Sequence, residues 1–380
     1  MNQIYLDYAA TTPLDPAVFE SILPFLREDF GNASSLHSRG QKVRAAVESA
    51  REQLAFAIGA KRREIIFTSG ATEAANQAIR MIAKAHPQGH IITSSLEHAA
   101  SLSTCRQLSQ EGYEVSILKP DDKGEITPQI LSPALKSNTV LVALMLVNNE
   151  TGVISDLAQL AELSHQVGAY VFCDAVQAFG TLALNVKQLG IDMLSLSAHK
   201  IYGPKGIGAL YVREGLELQP LLSGGEQERG FRAGTLNSPA IVGFGKAAEL
   251  AHIRLAEDSA KLYQLRDALS QKLLSFKGIK LNAAKASRGP KHINIQIAEV
   301  DGEAMLMALD QEGVLVSAGS ACAAGSIEPS HVLLAMGLSK AEAKASLRFS
   351  LGRGVDMNMI DEAVERFDRV LARCREAFRA

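Results

Sequence analysis

The sequence is short of cysteine, of unbalanced charge and of long apolar runs, and each shortage removes a class of protein. Four cysteines are spread over 380 residues, too few and too scattered for a disulfide framework, which points to a reducing cytosol. No two of them share metal-ligand spacing and no histidine pair does so convincingly, so no metal site is expected. A formal net charge of −2 supplies no electrostatic case for nucleic acid or an acidic membrane. The clusters Lys61-Arg-Arg63 and Arg373-Cys-Arg375 read as helix-end or solvated charge. No apolar stretch reaches the roughly 18 residues of a membrane span. The opening Met1-Asn-Gln-Ile-Tyr-Leu-Asp7 lacks the charged segment and apolar run of a secretory signal. Internal repeats, low-complexity tracts and a Pro- or Ser-rich linker are also missing, so any two domains should pack closely.

What is present suits a globular enzyme. Hydrophobic residues at 47% can build a substantial core, and charged residues at 21% argue against disorder. Between about residues 61 and 212, strand-like runs alternate with amphipathic segments. The runs are Glu64–Thr68, His90–Ser94, Glu114–Leu118, Val140–Val147, Tyr170–Cys173, Met193–Ser197 and Ala209–Val212. That alternation predicts βαβ units and a mostly parallel sheet. Ser38–Ile58 carries Val43, Val47, Ala50 and Leu54 at helical spacing and stops at Gly59, a C-cap. One long helical pattern from Ala240 to Phe276 leads to a second, smaller unit. That unit has a strand at His292–Ile297, a helix at Asp301–Glu312 and a helical tail from Met357.

Two apolar runs end in polar residues of matching chemistry. Ala169-Tyr-Val-Phe-Cys-Asp174 and Met193-Leu-Ser-Leu-Ser-Ala-His-Lys200 both read as buried parallel strands, and ligands of open α/β sheets bind beyond such carboxyl ends. A lysine able to form a Schiff base and an aspartate able to hold a pyridinium nitrogen are what pyridoxal phosphate (PLP) chemistry needs from a protein. Either residue alone also suits a solvated loop or a helix cap. Thr68-Ser-Gly-Ala-Thr-Glu-Ala-Ala-Asn76 follows a strand and opens a helix, where small residues and the helix dipole suit a phosphate. Taken alone it reads better as an ordinary Ser or Thr N-cap ahead of Glu73. It is neither a Walker loop nor a dinucleotide fingerprint. Ser94-Ser-Leu-Glu-His98 places His98 at the same sheet edge, where it could stack on a planar cofactor or move protons. Asn148-Asn149-Glu150-Thr-Gly152 reads as a turn whose asparagine could reach a bound ring.

Cys322 lies in Val314-Leu-Val-Ser-Ala-Gly-Ser-Ala-Cys322-Ala-Ala-Gly325, among residues too small to bury it, which suits a thiol that ionises and attacks. Cys105, Cys173 and Cys374 read as packing residues. Arg348 and Arg353 are two candidates for a fork around a substrate carboxylate. Gly224-Gly-Glu-Gln-Glu-Arg-Gly-Phe-Arg-Ala-Gly-Thr235 is a polar, Gly-rich loop able to reach across a subunit boundary.

As a set these residues resemble the cysteine desulfurases, PLP enzymes of fold type I in aminotransferase class V. Matching motifs run from Tyr5-Leu-Asp-Tyr-Ala-Ala-Thr-Thr-Pro13 to Arg348. Ser197-Ala-His-Lys-Ile-Tyr-Gly-Pro-Lys-Gly206, with Gly319-Ser-Ala-Cys322 and Glu328-Pro-Ser330, looks like the group I branch, the NifS/IscS type. The resemblance implies an α/β fold. A large PLP-binding domain (15–250) would have a mostly parallel sheet flanked by helices, and a smaller α+β domain (1–14 and 251–380) would carry the cysteine loop. It implies that Lys200 bonds PLP, Asp174 pairs with the ring nitrogen, Gln177 meets the ring hydroxyl and His98 stacks on the ring. Asn149 would meet ring and substrate. The phosphate would be held by Ala71, Thr72, Ser197 and His199, with Thr235 reaching in from the partner of a homodimer.

By the same likeness L-cysteine is the substrate, with Arg348 on its carboxylate and Arg353 as the alternative. Lys200 would remove the α-proton. Cys322 would take the sulfur as a persulfide, releasing alanine, and pass it to an acceptor protein for iron–sulfur assembly or thiolation. A cluster resting transiently on Cys322 is a further implication. Members that feed a scaffold typically extend well past the last helix, whereas this sequence stops at Ala380, which bears on a docking mode relying on such a tail.

Overall fold

The computed structural model describes residues 2–216, 219–318 and 328–379. Its strands in chain order are β1 (Ile4–Tyr5), β2 (Ile65–Thr68), β3 (His90–Ser94), β4 (Glu114–Leu118), β5 (Thr139–Met145) and β6 (Tyr170–Asp174). They continue as β7 (Met193–Ser197), β8 (Gly208–Val212), β9 (Ile279–Leu281), β10 (His292–Ile297), β11 (Val314–Leu315) and β12 (Ser346–Ser350). The central sheet has the order β2-β8-β7-β6-β5-β3-β4. β3 to β7 pair in parallel, and β8 runs antiparallel to both β7 and β2. Two reversals cancel, so β2 points the same way as the parallel set. The carboxyl ends of β2, β3, β5, β6 and β7 therefore share one edge.

Side-chain alternation sends successive residues of each strand to opposite faces. Ile65, Phe67, Val142, Leu144, Val171, Cys173, Leu194 and Leu196 enter one apolar core. Their neighbours Ile66, Leu141, Ala143, Phe172 and Met193 enter another. With both faces covered, β2, β3 and β5 to β8 need near-continuous apolar sequence, which is why they were legible as apolar runs. A third core gathers Ile4, Leu6 and Tyr8 with residues from Leu262 to Leu371 around the sheet β12-β10-β9.

Several boundaries differ from the sequence reading. The pattern from Ala240 to Phe276 is two helices, Ser238–Ile253 and Leu255–Leu274, broken at Arg254. Apolar periodicity runs through the junction, so only the backbone reveals the break. Glu64 ends a short 3-10 turn (Arg62–Glu64) ahead of β2, its carboxylate accepting from Lys61 N. β5 ends at Met145, before Val147, which forms an isolated bridge with Ile154. Asp174 is the last residue of its strand. Lys200 closes a 3-10 turn (Ala198–Lys200) that follows β7. The cysteine loop around Cys322, apart from its flanks, lies outside the described residues.

Candidate active site

A cavity of about 500 Å3 opens at the shared edge. Each strand end delivers one functional segment to it: Gly70–Thr72 after β2, His98 after β3, Asn149 after β5, Asp174 and Gln177 at β6, and Ser197, His199 and Lys200 at β7. Nine residues proposed from sequence thus meet in one space: Ala71, Thr72, His98, Asn149, Asp174, Gln177, Ser197, His199 and Lys200.

Lys200 Nζ donates to the carbonyls of Ala9 (2.6 Å) and Ala10 (2.7 Å). Those carbonyls belong to the N-terminal segment, which Leu6 anchors in the third core. Gln177 Nε2 donates to the same Ala9 carbonyl at 3.0 Å, leaving its buried Oε1 without a partner. Asn149 Oδ1 is likewise buried and unpartnered. Such orphans cost free energy unless something occupies the cavity.

Asp174 accepts from Val176 N at 3.0 Å. Burial pushes its carboxyl up, while the charges of His98 and Lys200 pull it down. A protonated ring nitrogen beside it would add a further pull. His98 caps the helix Ala99–Gln110, its Nδ1 accepting from Ala100 N at 3.1 Å. The neutral ring therefore carries its proton on Nε2, and burial holds its pKa below the ordinary value. His199 is held down at about 4, first by burial and then by Lys200, Lys205 and Lys291. It is a neutral imidazole whose Nδ1 meets Thr11 Oγ1 at 3.1 Å.

The helix Ala71–Ala85 begins without the side-chain cap expected from its Ser and Thr residues. Its N-cap is Gly70, and no side chain caps it. Glu73 instead reaches back to Ser69 N at 2.9 Å and is gripped by Arg232. The first-turn N–H groups of Ala71 and Thr72 consequently face open space with the dipole behind them. A Cβ on Gly70 would meet nothing within 4 Å, whereas one on Gly208 of β8 would lie 2.6 Å from Gly70 backbone. Only glycine at 208 lets the strand pass so close beneath this turn. An open helix N-terminus, a neutral histidine and two orphaned amide oxygens around an amine and a carboxylate fit PLP.

Other expected residues stand elsewhere. Arg348, on β12, donates to Asp7 Oδ1 (2.8 Å) and to the carbonyl of Asn149 (2.9 Å) beside the cavity, and its buried Nε has no partner. Arg353 is consumed by Asp258 (2.5 Å) and stacks on Tyr202 at 4.3 Å. Thr235 is exposed and outside the cavity wall. Its Gly-rich loop is pinned at Glu228, whose buried carboxylate forks onto Arg51 with both contacts at 2.7 Å. Cys105 and Cys173 are buried and unpaired, and Cys374 is partly buried.

Some participants went unassigned in the sequence. Lys205 and Thr11 line the cavity, and the backbone of Ala9 and Ala10 holds Lys200. All four sit inside the motifs Tyr5–Pro13 and Ser197–Gly206, so the motif itself was the available signal. Glu97, Glu150 and Ser330 also sit inside quoted motifs, but their burial and the Glu150–Ser330 hydrogen bond are defined only by folding.

The fold and these groups define a PLP-dependent enzyme of fold type I. Residues 4–363 match the aminotransferase class-V family, and the chain belongs to it. Among curated relatives it is 45% identical to cysteine desulfurase IscS of Dictyoglomus turgidum over 98% of this chain and 96% of that one. It is 46% identical to a cysteine desulfurase of Trichormus azollae, covering 99% and 94%. Among solved structures, a NifS-like protein superposes with TM-score 0.92 at 32% identity, covering 97% and 99%. SspA in complex with cysteine superposes with TM-score 0.82 at 38% identity, covering 92% and 98%.

Proposed function

We propose that this protein is a cysteine desulfurase that converts L-cysteine to L-alanine and takes the sulfur onto Cys322. The observation that carries the reading is the convergence of Lys200, Asp174, His98, Gln177 and the uncapped Ala71–Thr72 turn on one cavity. When bound, PLP withdraws electrons from the substrate's α-carbon, which makes the α-proton removable. Lys200 holds the cofactor covalently until substrate arrives, and its freed Nζ then takes the α-proton. Asp174, ionised, keeps the ring nitrogen protonated. His98 covers the ring, with its Nε2 proton available. Ala71 N, Thr72 N, Ser197 and neutral His199 hold the phosphate, with Lys205 supplying charge beside them. Asn149 and Arg348 orient the substrate, the orphaned Nε of Arg348 being its free donor. Arg353, fully engaged, is not needed.

Cys322 sulfur then bonds to the substrate sulfur as the carbon–sulfur bond breaks. The electron pair stays on carbon, which takes a proton to become the methyl of alanine. Two anchors support this placement of the loop. Ser317 exchanges both backbone hydrogen bonds with Arg348 (3.1 and 2.7 Å), and Ser330 donates to the buried Glu150 beside Asn149. Both loop ends are thereby fastened at the cavity's rim.

The same reading makes 15–250 the cofactor domain, with 1–14 and 251–380 carrying the thiol. It makes the enzyme a homodimer in which Thr235 reaches the partner's phosphate site. Sulfur passes to an acceptor protein, for iron–sulfur assembly or thiolation, in a reducing cytosol that keeps Cys322 a thiol. Incubation with 35S-cysteine tests it. The parent should retain label on the peptide containing Cys322, and Cys322→Ala should bind cysteine yet retain none. Label retained by Cys322→Ala would overturn the role of that thiol.

A further inference from the structure

Tyr202 stands two residues past Lys200 in the left-handed region of backbone space, at φ 66°, a conformation a bulky residue keeps only where its surroundings hold it. Ile201 belongs to the core on one face of the central sheet, whereas Tyr202, next in the chain, packs against the third core. The turn that carries Lys200 thus changes cores at this one residue. Segments distant in sequence hold it from both sides. Tyr202 N donates to Thr12 Oγ1 at 2.8 Å, and that hydroxyl donates to the carbonyl of His199 at 3.0 Å. Asp15 N donates to the Tyr202 carbonyl at 3.0 Å. The phenol oxygen accepts from Arg353 N at 2.6 Å, and the Arg353 guanidinium lies 4.3 Å from the ring centre. Arg353 is fixed in turn by Asp258 at 2.5 Å and Asp15 at 3.4 Å. Its backbone comes close because residue 352 is glycine: a Cβ there would lie 2.1 Å from the Tyr8 ring. Tyr202 itself is not part of the cavity wall, so these contacts hold the turn rather than a ligand.

We propose that Tyr202, clamped by Arg353, is a positioning residue for Lys200, fastening the turn beneath the amine to the third core. Arg353 thereby has a role that substrate binding does not give it. The amine sits at the tip of a flexible four-carbon stem, so where it can reach is set by the backbone at its root. That root is a single 3-10 turn, closed by Ile201 N and Gly203 N donating to the Ala198 carbonyl at 3.0 and 2.9 Å. So short a helix has little stiffness of its own. The segment 9–15 supplies the two carbonyls that receive the amine and also grips Tyr202, so amine and root are set against one frame. Without the ring, Ile201 would still hold the turn to the sheet, but the tie to the third core would be lost. A misplacement of about 1 Å at a reacting group can cost about 10²-fold in rate, even when its cause lies away from the chemistry. Tyr202 touches no substrate and moves no proton in this role.

This inference rests on Lys200 being the cofactor-bearing amine, and its test reads capture of the cofactor as well as turnover. Full-length protein freed of PLP is mixed with PLP, and the adduct is trapped with borohydride at timed intervals. Label on the Lys200 peptide is followed by mass spectrometry. Steady-state kcat and KM for cysteine, and the urea midpoint, are read on the same preparations. Tyr202→Gly suits the left-handed backbone and removes the ring. It should slow capture at Lys200 and lower kcat, each by about one to two powers of ten, with KM nearly unchanged. Tyr202→Phe, which keeps a ring against Arg353, should recover most of that loss. Arg353→Met leaves the sequence around Lys200 intact, should act in the same direction, and stands in if Tyr202→Gly fails to fold. Parental capture and kcat in the folded variant, whatever its urea midpoint, would overturn the clamp, as would Tyr202→Phe falling as low as Tyr202→Gly. Label missing from Lys200 in the parent would sink the cofactor assignment and this inference with it, so the parent alone tells the two failures apart.

Discussion

Replacing Arg51 by methionine would remove the guanidinium from a buried fork while keeping most of the stem. Arg51 and Glu228 are 3% and 0% exposed at the side chain and meet at 2.7 Å. Arg51 also donates to the Ile65 carbonyl at 2.8 Å and lies 4.8 Å from the Phe67 ring centre. Glu228 accepts from Phe67 N at 2.8 Å. The pair thus pins the loop 224–235 to the edge strand β2 and to the helix Ser38–Ala57. Methionine leaves the Glu228 carboxylate buried with one backbone donor, and stranding a buried charge in this way costs about 3–5 kcal/mol. That is roughly two to four powers of ten in the unfolding equilibrium. Urea unfolding followed by far-ultraviolet circular dichroism reads it as a lower midpoint at unchanged slope. Adding Glu228→Leu should recover most of the loss, since removing both charges removes the stranded ion. Because Thr235 lies seven positions along the same loop from Glu228, Arg51→Met should also release PLP faster on dialysis. A midpoint equal to the parent's would refute the pin. A lowered midpoint with unchanged cofactor release would show that the pin does not position Thr235.

Two further outcomes follow from the site. Arg348→Lys should raise KM for cysteine by one to two powers of ten, the worth of roughly 1.5–3 kcal/mol for a charged hydrogen bond, while Arg353→Lys should leave KM nearly unchanged; steady-state kinetics on both variants decides between them. Glu97 is fully buried, and burial pushes its carboxyl up to about 8, against an ordinary 4.5. The folded state binds the extra proton across that window, so this group's contribution is complete below about pH 4.5 and is lost as pH rises through 8. Glu97→Gln should flatten that part of the stability–pH curve, read from urea midpoints at pH 5, 7 and 9; an unaltered slope would mean that Glu97 is ionised throughout.

The legible part of the site was the part written along single strands. The exposed edge strand β4 and the alternating β10 announced their limits through residues of period two, whereas β3 and β7 did so as short runs buried on both faces, where the residue that ends the run stands out. Asp174 and Lys200 were found that way, and the sheet's parallel order then obliges their ends to coincide. The rest depends on contacts between distant segments, which no local pattern encodes. The carbonyls of Ala9 and Ala10 that hold Lys200 come from the far end of the chain, and a backbone acceptor has no signature in residue type. Glu228 read as one more polar residue of a Gly-rich loop, yet its fork with Arg51 is what fastens that loop. β12 was not recognised as a strand because Ser346-Leu-Arg-Phe-Ser350 sends Leu347 and Phe349 into the third core and puts Arg348 on the opposite, likewise buried face, where burial argues against charge; it is tolerable there only because Asp7 and the Asn149 carbonyl receive it. The local rule thus failed at the position to which we assign the substrate's carboxylate. A chain accepts a costly buried cation where an anion is to be recognised.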